Sequence, residues 1–147
     1  MSSVYLFVYG SLMNYESRKQ TIGHIVPTYN VYLLPNANFN CGWGFRSKKW
    51  NMTALGLYKG KTTRKIIGKI LKINLIDFYN LDVREIDYDK YFINWNNIEF
   101  CHEHNIDTTK QLFTYVVSNP LFPNTNYPIK LSYVRLCITN KCNTIKN

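Results

Sequence analysis

The chain has 147 residues, 46% of them hydrophobic and 18% charged, enough for one domain with a sizeable core, since domains typically run to ~100–150 residues. That apolar content excludes a disordered tail protein. The net charge of +9 raises nucleic acid as a partner, and the absence of ~20 unbroken apolar residues excludes a membrane-spanning helix.

The apolar start Val4–Val8 lacks the basic flank and long apolar region of a leader, so an unprocessed cytoplasmic chain with no membrane partner is expected. The cysteines Cys41, Cys101, Cys137 and Cys142 form no C-x-x-C pair, and reduced thiols are the default for such spacing. The charge is uneven. No acid falls between Ser17 and Ile76, a stretch that carries Arg18, Lys19, Arg46, Lys48, Lys49, Lys59, Lys61, Arg64, Lys65, Lys69 and Lys72. Lys far outnumbers Arg, the residue whose planar fork suits phosphate, and Asn, Ile and Tyr are abundant alongside it, as AT-rich coding produces. Nucleic acid is therefore disfavoured as a partner. Nothing in the sequence sets an oligomeric state.

Val4–Tyr9 is a β-branched and aromatic run that reads as a buried strand entering a tight loop at Gly10. Tyr29–Leu34, closed by Pro35, is a second strand, and Asn36–Asn51 is a polar loop whose Trp43, Phe45 and Trp50 are expected to pack inward. Thr53–Tyr58 and Ile66–Ile73 are two further strands, expected to form a hairpin across the basic turn Lys59–Lys65. Asn74 can cap a helix over Leu75–Asp82, with Asp77 in capping-box position and Leu75, Phe78, Tyr79 and Asp82 on one face. Tyr91–Trp95 and Leu112–Val117 resume strand character, and Pro128 opens a helix over Ile129–Thr139 with a core stripe of Ile129, Tyr133, Leu136 and Cys137. Strands with two or three helices suggest a small mixed α/β barrel or sheet.

Three groups of residues invite chemistry. At Tyr9-Gly10-Ser11-Leu12 a glycine can turn the backbone so that successive N–H groups point at one spot, a nest for a carboxylate or carbonyl oxygen; most strand-Gly-Ser turns are only structural. The acids Asp82, Glu85, Asp87 and Asp89 lack the central glycine and ligand number of a calcium loop, so no metal is expected there. Glu85 stands apart, because Ile86 and Tyr88 could desolvate it and turn it into a proton shuttle; the plain alternative is an exposed surface glutamate. Cys101-His102-Glu103-His104 reads as a polar loop, since adjacent side chains converge poorly on one ion, and His24 is isolated.

Phe7-Val8-Tyr9-Gly10-Ser11-Leu12, then Glu16-Ser17-Arg18, Trp43-Gly44-Phe45-Arg46-Ser47, Thr53-Ala54-Leu55-Gly56-Leu57, Leu81-Asp82-Val83-Arg84-Glu85-Ile86-Asp87-Tyr88 and Pro128-Ile129-Lys130-Leu131-Ser132-Tyr133-Val134 follow one another along the chain. In this order they resemble the γ-glutamylcyclotransferase-like superfamily, most of all its ChaC-like branch, over nearly the whole chain. The resemblance implies one domain over residues 1–147, of mixed α/β (α+β) class, with a small barrel-like mixed sheet and two or three helices. It implies a small γ-glutamyl substrate and a reaction without a cofactor: the α-amine attacks its own γ-carbonyl, closes 5-oxoproline and expels an amine or amino acid. By the same resemblance Glu85 is general base and then acid, the backbone around Gly10, Ser11 and Leu12 grips substrate oxygens, and Tyr9 and Tyr133 line the pocket. Arg135 stands where relatives carry an acidic residue. The alternative is a catalytically silent member of the fold that binds a small ligand or uses its basic face for nucleic acid or protein. A desolvated Glu85 separates the two, since a phosphate-binding face has no use for one.

Overall fold

Strand β1 (Ser3–Val8) lies in the middle of the sheet because every residue from Tyr5 onward is buried on one side or the other. The structure is a computed structural model that describes residues 3–13 and 15–137. After β1 come a 3-10 turn (Gly10–Met13) and helix α1 (Tyr15–Ile22), then β2 (Thr28–Leu33), β3 (Phe39–Ser47), β4 (Met52–Lys59) and β5 (Ile66–Asn74). Helix α2 (Leu75–Arg84) follows, then β6 (Asp89–Phe92), β7 (Ile98–Phe100) and β8 (Leu112–Val116). Residues 131–137 form a further helix, α3, which starts two residues later than expected, so Pro128 does not open it and Ile129 lies outside it; the end of the expected Ile129–Thr139 helix, like Cys142, lies outside the described residues.

The eight strands form one mixed sheet in the order β3-β4-β8-β1-β5-β2-β7, with β6 also paired to β8. β1 runs antiparallel to β5 and parallel to β8. Alternation along β1 divides the core. Tyr5 and Phe7 enter one cluster with Val31, Phe39, Leu57, Ile70 and Ile98. Because β3 and β7 lie at opposite ends of the sheet yet meet in that cluster, the sheet curls around it, which is the expected mixed, barrel-like architecture. Leu6 and Val8 face the other way, under α1 and α2, with Ile22, Leu71, Phe78 and Leu81. A strand covered on both faces reads as a continuous apolar run.

The expected Tyr91–Trp95 strand is displaced to Asp89–Phe92, with Trp95 opening a 3-10 turn, and further expectations change. Asn36–Asn51 is not loop: β3 occupies most of it and pairs with β4 along its length, with a bulge between Trp43 and Phe45. Backbone pairing overrides its polar composition, and Trp50, on the turn beyond, is 60% exposed rather than packed inward. β4 and β5 form no hairpin, since β4 pairs with β3 and β8 while β5 pairs with β1 and β2. On α2 the buried side chains are Asp77, Phe78 and Leu81, while Leu75 and Tyr79 face solvent; the sheet side of the helix lies about one residue round from the expected stripe. Helix α1, absent from the expected elements, has almost no apolar face; Arg18 ties it to the preceding turn through the carbonyls of Leu12 (3.1 Å) and Met13 (2.6 Å).

The cap at Asn74 forms as expected, its Oδ1 accepting from the Asp77 N–H at 2.8 Å. The Asp77 carboxylate accepts from His24 Nε2 at 3.0 Å, joining the α1–β2 loop to α2. His24 is thus isolated in sequence but not in space. The Ile25 carbonyl and then Asp77 hold its pKa above the ordinary 6.5. The sign follows: the latch stabilises fully below pH ~6.5 and is lost as pH rises through the higher folded value. Melting temperatures from pH 5.5 to 8.5 should show an advantage of the wild type over His24→Gln at the acid end that fades toward the alkaline end. A gap that is constant or grows with pH would refute the latch.

Candidate active site

Gly10, two residues beyond β1, has φ of +59°, a left-handed conformation that glycine adopts at little cost, and a side chain there would meet the Tyr133 hydroxyl at 3.0 Å. It opens the Gly10–Met13 turn, which presents Ser11 to the C-terminal end of α2. There Arg84 spreads its guanidinium over three hydroxyls: Thr21 Oγ1 at 2.9 Å, and Ser11 Oγ and Ser17 Oγ at 3.2 Å each. One side chain therefore ties together the turn, α1 and α2.

Glu85 caps α2, its N–H donating to the Leu81 carbonyl at 2.9 Å, and its own carbonyl accepts from the Tyr88 N–H at 3.0 Å. This tight turn brings Tyr88 back beside it. The Glu85 side chain is only 13% exposed, and its nearest cation is Arg84 Nε at 3.6 Å. Burial pushes its carboxyl above the ordinary 4.5, and Arg84 opposes part of that rise. Around it stand three phenols, Tyr9, Tyr88 and Tyr115, each raised first by its own burial and further by the Glu85 charge. All three are neutral hydroxyls at physiological pH, so the carboxyl group sits among dipoles and rings with Arg84 as its one ion-pair partner among the described residues.

These groups bound a cleft of about 830 Å³, lined among others by Tyr9, Ser11, Leu12, Arg84, Glu85 and Tyr133. Five of the six residues expected at the site line it together. Gly10 does not; it faces a neighbouring groove and shapes the turn instead. The Tyr9 hydroxyl is fully engaged, donating to the Tyr115 carbonyl at 2.7 Å and accepting from the Leu57 N–H at 3.1 Å, so Tyr9 is a braced wall. Burial also pushes the Tyr133 phenol up, with Cys137 adding to it and the Leu55 backbone and Ser11 opposing. Its ring meets Trp43 edge-on at 5.9 Å.

The acid cluster separates in space. Asp82 accepts from the Tyr115 hydroxyl at 2.7 Å and from Lys90 at 2.9 Å, and Asp89 accepts from Ser118. Asp87 stays at the cleft with Glu85. Among the described residues no three His, Cys, Asp or Glu side chains come together as a metal site. The His104 ring stacks on Phe100 at 3.6 Å, and Arg135 is exposed and does not line the cleft. Several residues of the acid-free stretch are occupied within the fold: Lys65 pairs with Glu99 at 2.6 Å, Arg46 covers the Tyr127 ring at 4.5 Å and Lys59 the Tyr91 ring at 4.8 Å.

Sequence reasoning assigns no site role to Arg84 or Tyr115, and expects of Phe45 only that it packs inward, which it does by stacking on Tyr88 at 4.0 Å. Arg84 and Tyr88 carry a sequence signal, since they flank Glu85 in Leu81–Tyr88, and Phe45 lies in the Trp43–Ser47 motif; Tyr115 carries none. Arg84→Met removes three hydroxyl contacts and the opposing charge on Glu85. It is expected to raise the carboxyl pKa further while lowering the melting temperature by a few degrees, a carboxyl shift readable by NMR titration. An unchanged Glu85 titration would refute this positioning role.

No protein-family model matches the chain, and no curated protein matches its sequence. Solved structures do. One titled gamma-glutamyl cyclotransferase superposes with a TM-score of 0.70 at 15% identity, covering 97% of this chain and 80% of that one. An uncharacterized protein from Homo sapiens gives 0.71 at 16% identity over 98% of this chain and 81% of that one. A glutathione-specific gamma-glutamyl cyclotransferase from yeast gives 0.63 at 10% identity over 97% and 90%. The chain therefore shares the fold of these solved structures, gamma-glutamyl cyclotransferases among them. No helix among the described residues is long and apolar enough to cross a membrane.

Proposed function

We propose that the cleft converts a γ-glutamyl compound into 5-oxoproline and a free amine or amino acid, with the chain of 1–147 acting as one unit. The single observation that supports this most is Glu85, a carboxyl group desolvated inside a cleft with its pKa raised, whose weak ion pair leaves it able to exchange a proton. The neutral α-amine of the substrate attacks the γ-carbonyl carbon, and Glu85 takes the proton that the attacking nitrogen sheds. A C–N bond forms and the carbonyl oxygen becomes an oxyanion, held by the backbone about Ser11 and Leu12. Collapse breaks the amide C–N bond while Glu85 returns the proton to the leaving nitrogen, so one carboxyl group serves both steps. Nucleophile and electrophile share a molecule, so no translational entropy is lost in bringing them together, and the cleft contributes by holding the flexible γ-glutamyl chain in attack geometry. Tyr9, braced at both ends of its hydroxyl, and Tyr133 supply the fixed walls that this requires.

The test is incubation of the purified protein with glutathione, γ-glutamyl-alanine and γ-glutamyl-ε-lysine, with 5-oxoproline read by mass spectrometry. Product from at least one is expected. None from any of them would overturn the enzyme reading in favour of a binding module that keeps the cleft.

A further inference from the structure

The mouth of the cleft has a composition that the ring-closing step does not use. Trp50, Val83 and Ile86 line it yet are 60%, 56% and 77% exposed, three large apolar side chains outside the core that border one cleft from the β3–β4 turn and from the C-terminal end of α2 and the residues just beyond it. Beside Trp50 stands Lys49, its ammonium 5.2 Å from the indole centroid. Of the two basic residues lining the cleft, Arg84 is occupied by hydroxyls and Glu85, whereas Lys49 has no carboxylate within ion-pair distance among the described residues. The turn that carries it is fixed. Asn51 sits at φ of +48°, the Trp50 N–H donates to Ser47 Oγ at 3.3 Å, and Lys130 Nζ donates to the Trp50 carbonyl at 2.7 Å from beyond β8. Asp87 lines the same cleft from the α2 side and repels a carboxylate there.

We infer that this mouth reads the leaving group, and that the preferred one is an apolar amino acid with a free carboxylate: its side chain lies between Trp50 and the Val83–Ile86 edge, and its carboxylate pairs with Lys49. The inference rests on the cyclotransferase reading of the cleft and deepens it. An apolar side chain gains by leaving water for the indole and aliphatic wall, and the lysine adds the modest attraction of a partly exposed ion pair.

The test compares γ-glutamyl-leucine with γ-glutamyl-isoamylamine, which has the same side chain without the carboxylate, and with γ-glutamyl-glycine and γ-glutamyl-ε-lysine. The leucine compound is expected to exceed its amine counterpart about fivefold in kcat/KM and the glycine compound about tenfold. Lys49→Met should erase the first preference and leave the second, and Trp50→Ala should do the reverse. Equal kcat/KM for the acid and the amine, or a preference that survives Lys49→Met, would overturn the inference, as would a preference for the ε-lysine compound, whose free ammonium suits Asp87. If no compound yields 5-oxoproline, the reaction reading fails alone. Calorimetric binding of the same pairs then decides the inference: tighter binding of the leucine compound, lost in Lys49→Met, supports it, and equal or undetectable binding overturns it.

Discussion

Replacing Glu85 by Gln is expected to lower 5-oxoproline formation by at least ~100-fold while leaving the fold intact, because the amide keeps the shape of the side chain and removes only the proton shuttle. The wild-type rate should rise with pH through an apparent pKa above the ordinary 4.5 of a glutamate, since only the carboxylate can take the proton and burial disfavours it. Stability moves the opposite way. A carboxyl group whose folded pKa is raised contributes most below its unfolded value, and that contribution is lost as pH rises through the folded one. Glu85→Gln, which carries no such penalty, should therefore be at least as stable as wild type at neutral pH, measured by denaturant unfolding. Turnover of Glu85→Gln within a few-fold of wild type would sink the assignment. A variant that is inactive and also markedly less stable would show a structural role for Glu85 instead.

The largest stability loss is expected at Phe7. It is wholly buried in the cluster at the centre of the curled sheet, and its ring lies where β5 carries Gly68: a Cβ at that glycine would come within 2.4 Å of the ring. Phe7→Ala should cost ~3–5 kcal/mol, lowering the melting temperature by roughly 10 °C. Gly68→Ala forces the same contact from the other side and should cost ~1–3 kcal/mol. A double-mutant cycle tests the geometry, because Phe7→Leu should soften the loss caused by Gly68→Ala. Strictly additive losses would mean that ring and glycine do not share the space. Phe7 also lines the cleft, so Phe7→Ala should impair turnover in the fraction that remains folded.

Much of the fold is legible in the residues because local preference and burial agree. β1 is apolar at nearly every position because it is covered on both faces, and Asn74 caps α2 because its side chain reaches the N–H three residues on. Where the two disagree, sequence reading goes astray. β3 is polar and glycine-rich, and becomes a strand because β4 supplies hydrogen bonds along it. α1 has no apolar stripe to betray it and is held by Arg18 and Arg84. The missing β4–β5 hairpin has the same origin: adjacency in sequence suggests a pair, but β1 and β2 claim both edges of β5.

The site divides along the same line. Glu85, the Ser11–Leu12 turn, Tyr9 and Tyr133 can be picked out from residue types and motifs, because an acid among apolar neighbours and a glycine at a strand end carry local signals. Whether Glu85 is buried and which phenols surround it depend on partners distant in sequence, as does the way Arg84 joins two helices to one turn, across 73 residues in the case of Ser11. Residue types and local motifs are enough to pick out the chemical groups and the turn after β1 that carries two of them. Tertiary structure alone decided desolvation, and with it the pKa of Glu85, because exclusion of water is a property of all the chain segments that meet at one place and of no segment taken alone.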